Sequence, residues 1–171
     1  MLEKQGGNVD TIESIRNYIA IDERLSTSGQ PSEAQFAALA QAGFEVVINL
    51  GLHDDPRYSL RDEPGCVQAL HMDYIHIPVL FKAPTETDLT AFFGAMDANR
   101  DRKTLVHCAA NIRVSVFLGL YRVLKEKCPS QEAFALMQTV LDIQEKRGQS
   151  WDEATSQTWT AFIDSMLTHS A

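Results

Sequence analysis

The chain is poor in cysteine, in long apolar runs and in positive charge, and each shortage excludes something. Three cysteines in 171 residues (Cys66, Cys108 and Cys128) form an odd and sparse set. That argues against a disulfide framework and fits a reducing compartment. No apolar stretch approaches the roughly 18 residues that a membrane span needs. The opening residues, MLEKQGGNVD, lack the basic and apolar regions of a secretory signal. Fifteen Lys and Arg against 23 Asp and Glu give a formal net charge of -8, which argues against a general nucleic-acid or anionic-membrane binder. The expectation is a cytoplasmic protein that catches an anionic substrate with a local positive site. His53, His71, His76 and His169 show no recurrent ligand spacing, so no metal site is read from them. Nothing in the sequence indicates an oligomeric state.

What is present is the material of one globular domain. A hydrophobic fraction of 44% with 22% charged residues is ordinary for such a domain, and no repeat or long linker divides the chain. Asn17–Ile21 and Leu25–Ser28 read as short strands. Ser28-Gly29-Gln30-Pro31 marks a turn, and Ser32 is placed to cap a helix that carries Phe36, Leu39 and Ala40 and stops at Gly43. Glu45–Leu50 is a compact β-branched run, expected to be a buried strand. Residues 51–64 read as a long polar loop, with a short helix near Cys66–Leu70 after it. Tyr74–Val79 reads as the next strand. Thr85 and the acidic residues after it predict a helix start, with Leu89, Phe92, Phe93 and Met96 on one face. Lys103–His107 is a further strand, and Val114, Phe117, Leu118, Tyr121 and Leu124 define a helix over Val114–Glu126. Two more helices fit about Ser130–Ile143 and Trp151–Leu167, the two tryptophans packing the last helix onto the core. Alternating strands and helices predict an α/β fold with a central, mostly parallel sheet of four or five strands flanked by helices.

The stretch Leu105-Val106-His107-Cys108-Ala109-Ala110-Asn111-Ile112-Arg113-Val114-Ser115 carries the chemistry. A cysteine that leaves a strand just before a helix sits beneath unpaired backbone N–H groups, where a thiolate and an anion are both stabilised. Arg113 adds a guanidinium fork able to hold an oxyanion by two hydrogen bonds. Ala109 and Ala110 are small enough to let the backbone curl, and Asn111 tolerates the left-handed conformation such a turn needs. Ser115 is expected to donate to the Cys108 sulfur, and His107 to orient the loop backbone. Cys66 and Cys128 read as structural.

This loop resembles that of the cysteine-based phosphatases of the dual-specificity type, within a bacterial branch whose motif reads His-Cys-x-x-Asn-x-Arg-x-Ser. The likeness extends to Ser28–Pro31, Val47-Ile48-Asn49-Leu50, Ile77-Pro78-Val79 and Ala83-Pro84-Thr85, nearly the whole chain from about residue 15 to 168. It implies a protein-tyrosine-phosphatase-like fold, with residues 1–14 as a flexible leading segment and 15–171 as a single domain. It also implies hydrolysis of a phosphate monoester (phosphotyrosine, a phosphoprotein or a small molecule) through a phosphocysteine, with no metal or cofactor. Cys108, Arg113 and Ser115 would be catalytic. His107, Ala109, Ala110, Asn111, Ile112 and Val114 would bind the phosphorylated substrate.

Two departures stand out. Four residues separate Cys108 from Arg113, where the usual phosphatase loop has five, although Cys108 to Ser115 keeps its spacing. The shorter ring also suits a rhodanese-like sulfurtransferase that carries a persulfide, and a low-activity phosphate-binding module is a third reading. Second, relatives often place an aspartate soon after the strand equivalent to Tyr74–Val79, to protonate the leaving oxygen. Here Leu80, Phe81 and Lys82 stand there. Asp88 reads as a helix cap, Asp54 and Asp55 lie on the polar loop, and no general acid is assigned.

Overall fold

The computed structural model describes residues 11–169, so residues 1–10 of the expected leading segment lie outside the described residues. A 3-10 turn over Ile12–Ser14 precedes β1 (Ile19–Ala20) and β2 (Leu25–Ser28). Then come α1 (Glu33–Gln41), β3 (Val46–Asn49), α2 (Glu63–Ala69), β4 (Asp73–His76), α3 (Glu86–Ala98) and β5 (Thr104–His107). Four helices complete the described chain: α4 (Ile112–Leu124), α5 (Ser130–Ala133), α6 (Ala135–Lys146) and α7 (Glu153–His169). Among the described residues the sheet has five strands in the order β1-β2-β5-β3-β4. Its β1–β2 pair is antiparallel, whereas β2, β5, β3 and β4 run parallel.

Alternation along the strands sorts the core into two layers, because successive side chains leave a sheet on opposite faces. Val46, Ile48, Leu50 and Val106 face α3, α4 and α7, where Phe92, Phe117, Leu120 and Trp159 are buried. Val47 and Leu105 point the other way, onto Ile15, Phe36, Leu39 and Val67 of the 3-10 turn region, α1 and α2. Helices on both faces are what lets parallel strands be apolar on both sides.

Local signals set most helix starts. Ser32 forms a capping box with Gln35, and Thr85 forms one with Asp88. Asp88 therefore has the cap role expected of it. Gly43 follows α1 with φ +89°, the left-handed position that favours glycine. Several boundaries differ from the sequence reading: β1 is only Ile19–Ala20, β4 closes at His76, and helix ends shift as well. Helix α2 starts at Glu63 because Asp62 accepts from the Gly65 N–H and Pro64 sits in the first turn. The stretch expected as one helix over Ser130–Ile143 is split at Phe134, whose ring fills the notch beside Gly119 of α4. Helix α7 starts after Trp151 because Asp152 accepts from the Thr155 N–H at 2.7 Å. No helix among the described residues is long and apolar enough to cross a membrane.

Helix α4 is the central strut, buried at every residue from Ile112 to Tyr121. Phe117 packs its ring against Phe92, Trp159 and Phe162. Phe117→Ala is expected to cost about 3–5 kcal/mol, read as a lowered midpoint in urea unfolding with an unchanged slope.

Candidate active site

The parallel strands β3 and β5 end side by side at Asn49 and His107, the carboxyl-end position where open α/β sheets present ligand sites. Cys108 follows β5 directly, and its backbone N–H donates to the Ser28 carbonyl at 3.3 Å. The loop is clamped from the β2 side as well. The Gln30 N–H donates to the Ala109 carbonyl at 3.0 Å, and Gly29 bridges Ala110. A side chain at Gly29 would stand 2.5 Å from the Ala109 oxygen, so this approach requires glycine.

Asn111 adopts φ +68°, the left-handed geometry expected of it, and delivers the chain into α4 at Ile112, two residues earlier than the apolar spacing indicated. The side chain of Asn111 is fully buried. Its amide donates to the Asn17 carbonyl and the Thr27 hydroxyl, both at 2.9 Å. Asn17, itself at φ +51°, donates to the Ala110 carbonyl at 2.9 Å. Side chains distant in sequence thus hold the loop from behind. The first helical N–H groups, at Ile112, Arg113 and Val114, have no intrahelical acceptor, whereas the Ser115 N–H already donates to the Asn111 carbonyl.

Arg113 occupies the second helical position and is only 4% exposed. Its Nη1 donates to the Val79 carbonyl at 2.8 Å, and its Nη2 to the Tyr58 hydroxyl at 3.4 Å. The rings of Tyr58 and Phe81 lie 5.8 and 5.9 Å from its Cζ. Burial works against the charge, yet the Cys108 sulfur and the Tyr58 oxygen beside it raise the guanidinium pKa above its ordinary value. Arg113 is thus a fixed cation aimed at the cysteine despite the shortened spacing. Cys108 is itself 1% exposed.

Ser115 is fully buried and donates to the Ile112 carbonyl at 2.7 Å, not to the Cys108 sulfur. A helix carbonyl three residues back is within easy reach of a serine hydroxyl and is a better acceptor than sulfur. His107 is buried too. Its Nδ1 lies 3.3 Å from the Cys108 carbonyl, so it supports the loop backbone as expected, and its Nε2 lies 2.9 Å from Glu63 Oε2. Ala109 contributes its backbone carbonyl to the turn, and Ala110, Ile112 and Val114 bury their side chains around it.

Glu63 was not singled out in the sequence, where it is one more acid in a polar stretch. It is 3% exposed, and it accepts from Asn49 at 2.9 Å, from the Tyr74 hydroxyl at 2.7 Å and from Gln30. Burial alone would raise its pKa, but His107, Gln30 and Tyr74 bring it down to about 2. Burial beside this carboxylate in turn keeps Tyr74 protonated. The Tyr74 oxygen also lies 2.7 Å from His53 Nε2, and His53 stacks on His76 with ring centroids 3.6 Å apart. His76 Nε2 donates to the Gly51 carbonyl at 2.7 Å, so both imidazoles anchor the loop after β3.

That loop also carries Tyr58, equally unannounced by the sequence pattern. A side chain on Gly51 would stand 3.2 Å from the Tyr58 ring and 3.6 Å from Cys108 Cα, so the loop lies directly beside the cysteine. Leu80, soon after β4, is 55% exposed. Cys66 belongs to the opposite core layer from Cys108. Among the described residues no cluster of His, Cys, Asp and Glu could hold a metal ion. A cleft of about 510 Å³ at the other end of the sheet is lined by Arg24, Arg100 and Arg102, but each is paired to an aspartate.

Comparison with known proteins bears on the family and the fold. Residues 9–159 match the family model described as DSP-PTPase phosphatase fused to NAD+ kinase. The chain belongs to the dual-specificity-type phosphatase family. That family is one of cysteine-based phosphatases, enzymes of the hydrolase class. A DUF442 protein of Shewanella putrefaciens CN-32 is 31% identical, with a TM-score of 0.78 over 96% of this chain and 99% of that one. TpbA of P. aeruginosa, solved as a cysteine-to-serine variant in complex with phosphotyrosine, shares the fold at 15% identity, with a TM-score of 0.65 over 90% of this chain and 89% of that one. The beta-lactamase hydrolase-like protein of Xylella fastidiosa strain Temecula1 is 31% identical over 120 residues, 69% of this chain. The chain spans just over a quarter of that relative's length, the match covering 28% of it.

The Glu63 network makes a direct prediction. Because the folded pKa lies below the ordinary 4.5, its stabilisation is complete above pH 4.5 and is lost as pH falls toward 2. Glu63→Ala is expected to cost about 3–5 kcal/mol at pH 7, the usual result of stranding a buried partner. The gap to wild type should narrow as pH falls from 4.5, measured by urea unfolding across the pH series.

Proposed function

We propose that the Cys108 thiolate attacks the phosphorus of a phosphate monoester and forms a phosphocysteine that water then hydrolyses. The observation that carries this reading is the buried Arg113 guanidinium, pinned by the Val79 carbonyl and the Tyr58 hydroxyl beside Cys108. A cation fixed this way does not reorganise as negative charge moves onto the phosphoryl oxygens, which is where electrostatic catalysis gains most. The free amides at the start of α4 add donors on the same side. Together they hold a dianionic phosphoryl group over the sulfur in a protein whose overall charge would repel it.

The residues divide into two roles. Cys108, Arg113 and the backbone from Ala109 to Val114 meet the phosphoryl group. His107, Asn111 and Ser115 act from behind, through bonds that fix the loop and the first turn of α4. Residues 15–171 serve as one phosphatase unit in this reading. The substrate is a phosphorylated protein or small molecule, and the phosphotyrosine held by P. aeruginosa TpbA supports aryl phosphates as the first probes.

With p-nitrophenyl phosphate, wild type is expected to release phosphate, Cys108→Ser to fall to background, and Arg113→Ala to lose about 10²–10³ in kcat. Wild-type release no greater than that of Cys108→Ser would sink the reading. Thiocyanate formed from thiosulfate and cyanide, lost in Cys108→Ser, would point instead to the sulfurtransferase.

A further inference from the structure

We infer that Tyr58 supplies the proton that the leaving oxygen needs, through its hydroxyl at the rim of the cysteine loop. This rests on the phosphatase reading above and fills the role for which no carboxylate stands after β4. The Tyr58 oxygen accepts two hydrogen bonds, from the Leu52 N–H at 3.0 Å and from Arg113 Nη2 at 3.4 Å. Among the described residues its own hydrogen has no acceptor, although the ring is partly buried. A hydroxyl whose lone pairs are both engaged by donors must present its proton in the remaining direction. That oxygen is also 3.4 Å from the cation proposed to grip the equatorial phosphoryl oxygens, so it sits at the edge of any phosphate held there.

The neighbouring acids are less suited. Asp55 is fastened to Arg57 by the backbone N–H at 3.0 Å, Nε at 3.0 Å and Nη2 at 2.7 Å. Those bonds hold its carboxyl at about 2, so at neutral pH it carries no proton to give. Asp54 is exposed, and nothing in the structure directs it toward Arg113. Leu80 and Phe81 are apolar, and Lys82 is exposed.

The step balances without any further reactant. As the S–P bond forms, the P–O bond breaks, and its electron pair stays on the leaving oxygen, which takes the Tyr58 proton. The phenolate left behind is stabilised by the two donors already on it, the Leu52 N–H and Arg113. In the second half-reaction it takes a proton from the water that attacks phosphorus. The S–P bond then breaks, sulfur leaves as thiolate, inorganic phosphate departs and the phenol is restored.

The test is the dependence of kcat/KM on leaving-group basicity for wild type, Tyr58→Phe and Asp54→Asn, over a series from p-nitrophenyl to phenyl to alkyl phosphates. Because each slope is internal to one protein, it does not depend on the fraction that is folded. Tyr58→Phe is expected to lose about 10²-fold on phenyl phosphate but less than about 10-fold on p-nitrophenyl phosphate, so its slope steepens. Asp54→Asn should keep the wild-type slope. A uniform loss or no loss across the series in Tyr58→Phe, or a steepened slope in Asp54→Asn, overturns the assignment to Tyr58. Inactivity of wild type on every ester would overturn the phosphatase reading instead.

Discussion

A buried carboxylate is the point on which this site depends. Glu63 lies where the carboxyl ends of the parallel strands converge, and its partners come from four places: Gln30 after β2, Asn49 ending β3, Tyr74 in β4 and His107 ending β5. An unpaired buried charge would cost several kcal/mol, so the partners have to be in place when the sheet forms. In return, the charge aligns the strand ends and orients His107, which touches the Cys108 carbonyl. The cysteine loop therefore hangs from a polar core inside an otherwise apolar sheet.

The second constraint is the entry into α4. Asn111 turns through a left-handed conformation, its side-chain amide N–H groups donated to Asn17 and Thr27. The helix then starts one turn below Ser115. Starting at Ile112 is what accommodates the four-residue spacing, because it places Arg113 in the first turn, facing back over the loop. The guanidinium stays in the pocket because Val79 and Tyr58 hold it there. The same early start puts the Ser115 hydroxyl beside a helix carbonyl and so removes it from the sulfur. One shift in register keeps the cation and reassigns the serine.

Much of this was legible in the residues, and the legible part is local. Ser32 and Thr85 announce their capping boxes, Asn111 announces its turn, and the compact β-branched run Glu45–Leu50 announces a buried strand. Each depends on neighbours within about four positions, where sequence spacing and spatial spacing coincide. Glu63 and Tyr58 were not legible for the opposite reason. In a stretch rich in Asp, Arg and Pro, a single acid and a single tyrosine look solvated. Their roles come from His107, 44 positions away, and Arg113, 55 positions away. The split of the helix at Phe134 has the same origin, since the notch at Gly119 that receives the ring is on another helix.

By itself, the sequence determined the order of most strands and helices and the position of Cys108 between a strand and a helix. These follow from backbone preference and apolar periodicity, which act over one or two turns of chain. Only the tertiary structure decided where the Arg113 charge points, what the Ser115 hydroxyl bonds, and which acid is buried beneath the loop. A hydrogen bond depends on position to within a few tenths of an ångström, and that position is set by packing between elements far apart in the chain.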